Sequence, residues 1–404
     1  MKTNKITSRL TMLLIYLGSI AFLISCNDNE ADPPVITDVR VVSKPDTSIS
    51  AIGAGSLVVI EGKNFTGVKQ VLFNDFPAPF NPNYVTDHTI IVTIPEEAPT
   101  EVTDPNTPNE IRVVGEGGAA VFDFALLPPP PQIFVLNEFT KPGDEMVLYG
   151  TNIFLVEKVI LPGDIEVTGF TVDEEGTTLT FTLPVNATEP GPIQLKTKYT
   201  TVTSPAINDV TGMLVNFDDI GSLEWGTAES ADESAFPGGR GEFALMDFGT
   251  IPADNWSWWE WGRSINTPGS TVWLPQEKLS ESLEDYALKF EMFVKKPWKH
   301  GTFMIVKGYN WTYLARFAPW RNTPQKVFET DQWVTVTIPL TMFKTKANNI
   351  DGTGEPAPSM EALLGDGKGN FNLFYVNDKT YSDGPQEGFS TGIDNVRLVK
   401  INND

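Results

Sequence analysis

Val59-Ile60-Glu61-Gly62-Lys63-Asn64-Phe65 recurs as Val147-Leu148-Tyr149-Gly150-Thr151-Asn152-Ile153, 88 residues further on. The match continues outward at the same offset. Val68-Lys69-Gln70-Val71-Leu72 returns as Val156-Glu157-Lys158-Val159-Ile160. Thr93-Ile94-Pro95 returns as Thr182-Leu183-Pro184, now 89 residues later. Each copy opens on a proline before an apolar run, Pro34-Val35-Ile36 and Pro131-Gln132-Ile133. Three matches in one order at a near-constant spacing identify an internal duplication. Inside each copy, short runs of Val, Ile, Thr and Phe alternate with Gly, Pro, Asn and Asp clusters. That is the pattern of an all-β chain with tight turns.

This repeat resembles the IPT/TIG type of immunoglobulin-like domain. The resemblance rests on the opening proline and apolar strand, the run into Gly-x-Asn-Phe or Gly-x-Asn-Ile, and the Val-x-x-Val strand that follows. The second copy carries Ile153 where the first has Phe65. The resemblance implies two tandem antiparallel sandwiches, residues 33–128 and 129–207. Leu127-Pro128-Pro129-Pro130-Pro131 joins them, as a stiff polyproline spacer or as a loop docked on one domain. Neither repeat holds a cluster of His, Cys or carboxylates at ligand spacing, so both read as spacers.

A third unit covers residues 208–404. It opens with Met213-Leu214-Val215-Asn216-Phe217-Asp218-Asp219 and closes with Gly392-Ile393-Asp394-Asn395-Val396-Arg397-Leu398-Val399. These resemble the first and last strands of carbohydrate-binding β-sandwiches. Residues 286–294 alternate as a half-buried strand, residues 333–340 also read as a strand, and residues 360–364 as a short helix. The expected fold is a jelly-roll-like carbohydrate-binding β-sandwich after the two immunoglobulin-like domains, all-β throughout.

Eight of the ten tryptophans lie within residues 255–320. Rings at that density either fill a core or stack on a flat ligand. The chain of 404 residues has room for two to four domains and carries a formal net charge of -23. Such a chain repels nucleic acid and anionic surfaces, so a neutral glycan is the better ligand. With only two histidines, His88 and His300, far apart in sequence, His-based metal sites and Ser-His-Asp catalysis are disfavoured.

The single cysteine, Cys26, follows a basic stretch (Lys2, Lys5, Arg9), an apolar run over residues 12–24, and Leu23-Ile24-Ser25. The order is that of a bacterial lipobox, with residues 1–25 a lipoprotein signal peptide and Cys26 the lipidation site. An ordinary secretory leader beside a buried cysteine is the alternative. The acidic tether 26–32 resembles the signal that sends some lipoproteins to the outer cell face. The apolar run is too short to span a bilayer comfortably. Beyond it the sequence shows no transmembrane segment.

A lipobox, tandem immunoglobulin-like domains and a terminal Trp-rich sandwich together resemble surface glycan-binding protein B of Sus-like glycan-uptake loci. The resemblance implies an outer-membrane lipoprotein with no catalytic activity. It would bind a neutral polysaccharide, such as xyloglucan or mixed-linkage β-glucan, beside a glycan transporter complex. Stacking rings on one strand face share i, i+2 spacing. Tyr309, Trp311 and Tyr313 have it, with Arg316 and Trp320 following. Trp298, between lysines in Lys295-Lys296-Pro297-Trp298-Lys299, reads as an exposed loop ring. These six form the expected glycan platform, with Tyr309, Trp311 and Tyr313 in one extended strand. The run Trp256-Ser257-Trp258-Trp259-Glu260-Trp261 puts rings on both faces of a strand, so some of them must be buried. Trp333 reads as core, and Trp225 gives no signal. No metal or cofactor is required. Asp218 or Asp219 could meet Asp394 and ligate a structural Ca²⁺, or all three could be solvated turn carboxylates. Two further functions compete: a β-sandwich glycoside hydrolase, whose two carboxylates composition allows, and an adhesin binding a protein partner.

Overall fold

The structure is a computed structural model that describes residues 31–218, 223–381 and 383–401. The leader, Cys26 and Asp219 lie outside the described residues. The chain divides into two compact units, Met1–Pro129 and Pro130–Asp404.

In the first unit, a three-stranded sheet runs Val35–Val41, Leu57–Lys63, Thr89–Thr93. A four-stranded sheet runs Phe76–Ala78, Gln70–Phe73, Glu110–Gly115, Gly118–Asp123. The second unit opens with the same architecture. Gln132–Val135, Glu145–Thr151, Thr178–Thr182 and Thr171–Val172 form one sheet. Ile165–Glu166, Val156–Leu161, Gly191–Thr197 and Thr201–Ile207 form the other. Both are immunoglobulin-like sandwiches.

The repeated residues have a physical reason. A Cβ on Gly62 would sit 1.9 Å from the Val35 carbonyl oxygen, and one on Gly150 would sit 1.8 Å from that of Gln132. Only glycine lets the neighbouring strand come so close. Asn64 and Asn152 both hold a left-handed backbone, φ 62° and 58°, which asparagine tolerates better than most residues. Each reaches back to the opening proline segment. Asn64 Nδ2 donates to the Pro33 carbonyl at 2.9 Å and Asn152 Nδ2 to that of Pro130 at 3.4 Å. Phe65 and Ile153 are both fully buried in their own cores. The mismatch at that position exchanges one core filler for another.

The remainder of the second unit is a larger two-sheet sandwich. One sheet runs Glu229–Ser230, Phe243–Phe248, Phe389–Lys400, Tyr286–Val294, Val334–Pro339, with Met213–Val215 also pairing Phe389–Lys400. First and last strands are therefore neighbours, as expected. The other sheet runs Ser264–Asn266, Phe371–Val376, Thr302–Lys307, Leu314–Phe317. Leu288, Phe290 and Met292 face Phe303, Ile305, Leu373 and Tyr375 across the core. The short helix is Met360–Leu364, capped by Ser359 Oγ, which accepts from the Ala362 amide at 3.1 Å.

The Tyr286–Val294 strand departs from the half-buried expectation. All nine of its residues are buried, because its outer face is covered partly by Phe236, Phe243 and Trp333, which pack on Phe293, and partly by the second immunoglobulin-like domain. There Glu138 meets Lys289 and Arg397, and the Arg397 guanidinium lies 4.7 Å from the centre of the Phe139 ring. Across the same seam, the Thr335 amide donates to the Leu136 carbonyl at 2.7 Å.

Candidate functional site

Strand alternation in the four-stranded sheet sends Phe303, Ile305, Leu373 and Tyr375 inward and Met304, Val306, Phe374 and Val376 outward. An apolar outer face needs a cover, and loop aromatics supply it. Trp258, Tyr309 and Trp311 pack on this outer cluster, each partly buried. The Trp258 ring lies 4.4 Å from Phe374, the Trp311 ring stacks on Phe374 at 5.8 Å, and the Tyr309 ring stacks on it at 6.1 Å. Trp225 and Trp259 flank Trp258 at 6.1 and 5.9 Å. Trp225, Trp256, Trp259 and Trp261 are exposed, at 48%, 37%, 58% and 73%. The result is a cluster of rings centred on Trp258 and Phe374, partly on the sheet and partly in water.

The loop that carries the tryptophans is tied at its start to the sheet. Asn255 and Asn377 exchange two backbone hydrogen bonds at 3.0 Å. Glu260 pairs with Arg263 at 2.7 Å. Beneath the rings lies a polar strip. Tyr309 Oη donates to Asn266 Oδ1 at 3.1 Å, Asn372 Nδ2 donates to the same oxygen at 2.8 Å, and Asn266 Nδ2 donates to the Trp225 carbonyl at 2.8 Å. Burial, with the Glu224 charge second, raises the Tyr309 phenol pKa above its ordinary value, so the hydroxyl stays a donor.

Arg316 is on the same outer face, opposite Met304. It is 6% exposed. Its Nη2 donates to Asp378 Oδ2 at 2.8 Å and its Nε to the Asp351 carbonyl at 2.7 Å. Its Nη1 is buried without a protein partner. The Tyr381 ring lies 5.2 Å from the guanidinium and helps to cover it.

The six expected platform residues divide. Tyr309 and Trp311 lie on the outer face, with Arg316 at its edge. Tyr313 instead packs against the central core. Tyr309, Trp311 and Tyr313 are not in one strand. They lie in the turn between Thr302–Lys307 and Leu314–Phe317, where Gly308 and Tyr309 both have positive φ, 63° and 55°. The Gly308-Tyr309-Asn310 sequence carries the turn signal that the strand reading passed over.

Trp298 and Trp320 are corrections. Trp298 is fully buried and Trp320 is 7% exposed, both in the central core. Trp298 pairs with Phe328 through two backbone hydrogen bonds of 2.9 Å, and its ring lies 4.7 Å from Phe303. Both indole N–H groups are satisfied, by the His300 carbonyl at 2.7 Å and the Gly301 carbonyl at 2.9 Å. Trp333 is core, as expected, packed with Phe236, Phe243 and Phe293.

Among the described residues, no group of three or more His, Cys, Asp or Glu side chains is placed to hold a metal ion. Asp394 is 3% exposed. Burial, with Glu291 and Asp218 close enough to oppose its charge, pushes its carboxyl up to about 8. The Asp218 carboxylate is occupied instead by the Glu242 amide, which donates to it at 2.8 Å.

Residues 207–400 match the surface glycan-binding protein B xyloglucan-binding domain family. The C-terminal domain belongs to that family. Residues 34–121 match the IPT/TIG domain family. An IPT/TIG domain-containing protein from Bacteroides ovatus is 33% identical over 199 residues, 45% of this chain and 41% of that protein. The chain thus spans about two fifths of the length of that curated relative. Among solved structures, the surface glycan-binding protein PbSGBP-B from Prevotella bryantii is similar over 91% of this chain and 99% of its own, with 21% identity and a TM-score of 0.67. An SGBP-B from a complex xyloglucan utilization locus in Bacteroides uniformis covers the same shares at 21% identity and a TM-score of 0.50. At this identity the likeness is one of fold.

Proposed function

We propose that this protein is a non-catalytic, cell-surface glycan-binding lipoprotein that captures a neutral polysaccharide by aromatic stacking. The observation that carries the reading is the ring cluster in which Trp258 meets Trp225, Trp259 and Trp311, with Trp258 and Trp311 packed on Phe374, in a domain of a glycan-binding family. A sugar ring offers an apolar C–H face to indole and an equatorial hydroxyl edge to polar side chains. The net charge of -23 disfavours anionic glycans. A β-glucan is the favoured ligand, xyloglucan or mixed-linkage glucan. The family description and the Bacteroides uniformis relative support that choice.

Tyr309, Trp311 and Arg316 remain in the proposed site, joined by Trp225, Trp258 and Trp259. The second immunoglobulin-like domain is read as a further IPT/TIG unit on the strength of the repeat. Cys26 is read as the lipid attachment point at the outer membrane, with a glycan transporter complex as neighbour. No helix among the described residues is long and apolar enough to cross a membrane.

Affinity electrophoresis of the chain from Cys26 onward against xyloglucan, mixed-linkage glucan and mannan tests the ligand. Retardation by at least one, without reducing-sugar release, is expected. Sugar release would favour the hydrolase reading. Retardation by none would remove the glycan reading. For the anchor, Cys26→Ala is expected to abolish fatty-acid labelling and free the protein from membranes.

A further inference from the structure

A groove of about 1280 Å³ runs between the second immunoglobulin-like domain and the C-terminal sandwich. It is separate from the tryptophan cluster around Trp258 and shares none of its rings. One wall carries Phe134 and Tyr149, cross-strand partners in the Gln132–Val135 and Glu145–Thr151 strands. Their rings lie 5.6 Å apart at 30° and are 47% and 43% exposed. The opposite wall carries Val272, 46% exposed, and the exposed Thr337.

The polar lining has a specific character. Glu138, Lys289 and Arg397 form the buried seam, with Glu138 paired to both bases. Lys400 is paired with Glu281 at 3.3 Å. With Asp209 and Lys278 included, the lining sets three acids (Glu138, Asp209, Glu281) against four bases (Lys278, Lys289, Arg397, Lys400), so its charges nearly balance in a chain that is otherwise strongly acidic. Such a groove has little net charge to offer a peptide or a phosphate. It offers ring faces, hydroxyls and paired charges, which suits a neutral polyhydroxylated ligand.

We infer that this groove is a second glycan-binding site, taking a short segment of neutral oligosaccharide against the Phe134–Tyr149 ring pair. A chain with two such sites, one on the outer sheet and one at the domain seam, could hold one long polysaccharide at two points and gain avidity from the linkage. The partial burial of Tyr149, with Glu138 nearby, already raises its phenol pKa, so the hydroxyl is present as a donor at neutral pH.

Hydrogen-exchange protection and isothermal titration of the chain from Cys26 onward test this with cellohexaose, a xylogluco-oligosaccharide and mannohexaose. Protection is expected in segments 132–136 and 145–151. It should persist in a Trp225→Ala/Trp259→Ala variant and vanish in Phe134→Ala/Tyr149→Ala. In the former background, adding the latter pair should weaken residual binding about tenfold or more. Both rings are on the surface, so the melting temperature should hold, and Tyr149→Phe should retain most of the binding. If segments 255–261 and 309–311 are protected while the groove segments are not, with any of the three sugars, the inference is overturned and the outer-face reading stands. Groove protection alone would uphold the inference and overturn the outer-face reading.

Discussion

Glu138 and Arg397 form a buried ion pair, Oε2 to Nη2 at 2.6 Å, across 259 residues of sequence. One belongs to the second immunoglobulin-like domain and the other to the last strand of the C-terminal sandwich. Arg397 also holds Glu291 at 2.9 Å, and Glu138 also holds Lys289. Two acids and two bases are thus buried together at the seam. Burial is costly to each charge alone, so each depends on its partners.

Removing one member should leave its partners uncompensated. Glu138→Ala is expected to destabilise the chain by ~3–5 kcal/mol, measured by chemical denaturation. A loss below ~1 kcal/mol would mean the pairs are hydrated in solution.

The same seam predicts how fragments behave. The Pro130–Asp404 unit should unfold in one transition. A 208–404 fragment, which exposes Lys289, Glu291 and Arg397 without Glu138, should melt at lower temperature or aggregate. Calorimetry of both fragments decides it, and equal melting temperatures would make the seam energetically silent.

Buried and exposed tryptophans should separate cleanly. Trp298→Ala and Trp320→Ala should each cost ~3–5 kcal/mol of stability. Their effect on glycan binding should follow only from the loss of folded protein, seen by comparing binding per folded molecule with the melting curves.

Trp225→Ala and Trp259→Ala should do the opposite. Each is expected to weaken glycan binding about tenfold, ~1.4 kcal/mol, with little change in melting temperature. Wild-type retardation of both variants on the same gels would move the site away from this face.

Asp394 gives the chain a pH dependence. Its folded carboxyl is pushed up to about 8, first by burial, against an ordinary value near 3.8. The fold therefore holds a proton that the unfolded chain releases. Its contribution is fully present below about pH 4 and is lost as the pH rises through about 8. Asp394→Asn keeps an oxygen for the Asn395 amide, which donates to the native carboxylate at 2.7 Å. The variant's stability relative to the native chain should improve steadily between pH 4 and 8. Parallel stability curves for the two would place the ionisation elsewhere.

The sequence by itself determined the all-β class and the duplication. Gly62 and Gly150 are required where a neighbouring strand comes close, Asn64 and Asn152 by a left-handed turn, and Ser359 by a helix start. The turn and cap demands are short-range, and the glycine demand shows because the whole motif recurs in both copies, so they can be read along the chain. The tryptophan-dense stretch holds Trp258, Trp259, Tyr309 and Trp311 of the outer face, but Trp225 lies outside it. Which rings are wet was decided only in three dimensions. Trp298 sits between lysines whose chains can reach water while its own ring turns inward to Phe303. Tyr309 and Tyr313 have strand spacing, yet a turn at Gly308 sends one to the outer sheet face and the other to the core. Trp225 carried no local signal, since its partner Trp258 is 33 residues away. The Glu138 seam was equally hidden, because its charges are brought together by the packing of two domains. Exposure belongs to a surface assembled from distant segments, and no local pattern records which side of a ring that surface leaves open.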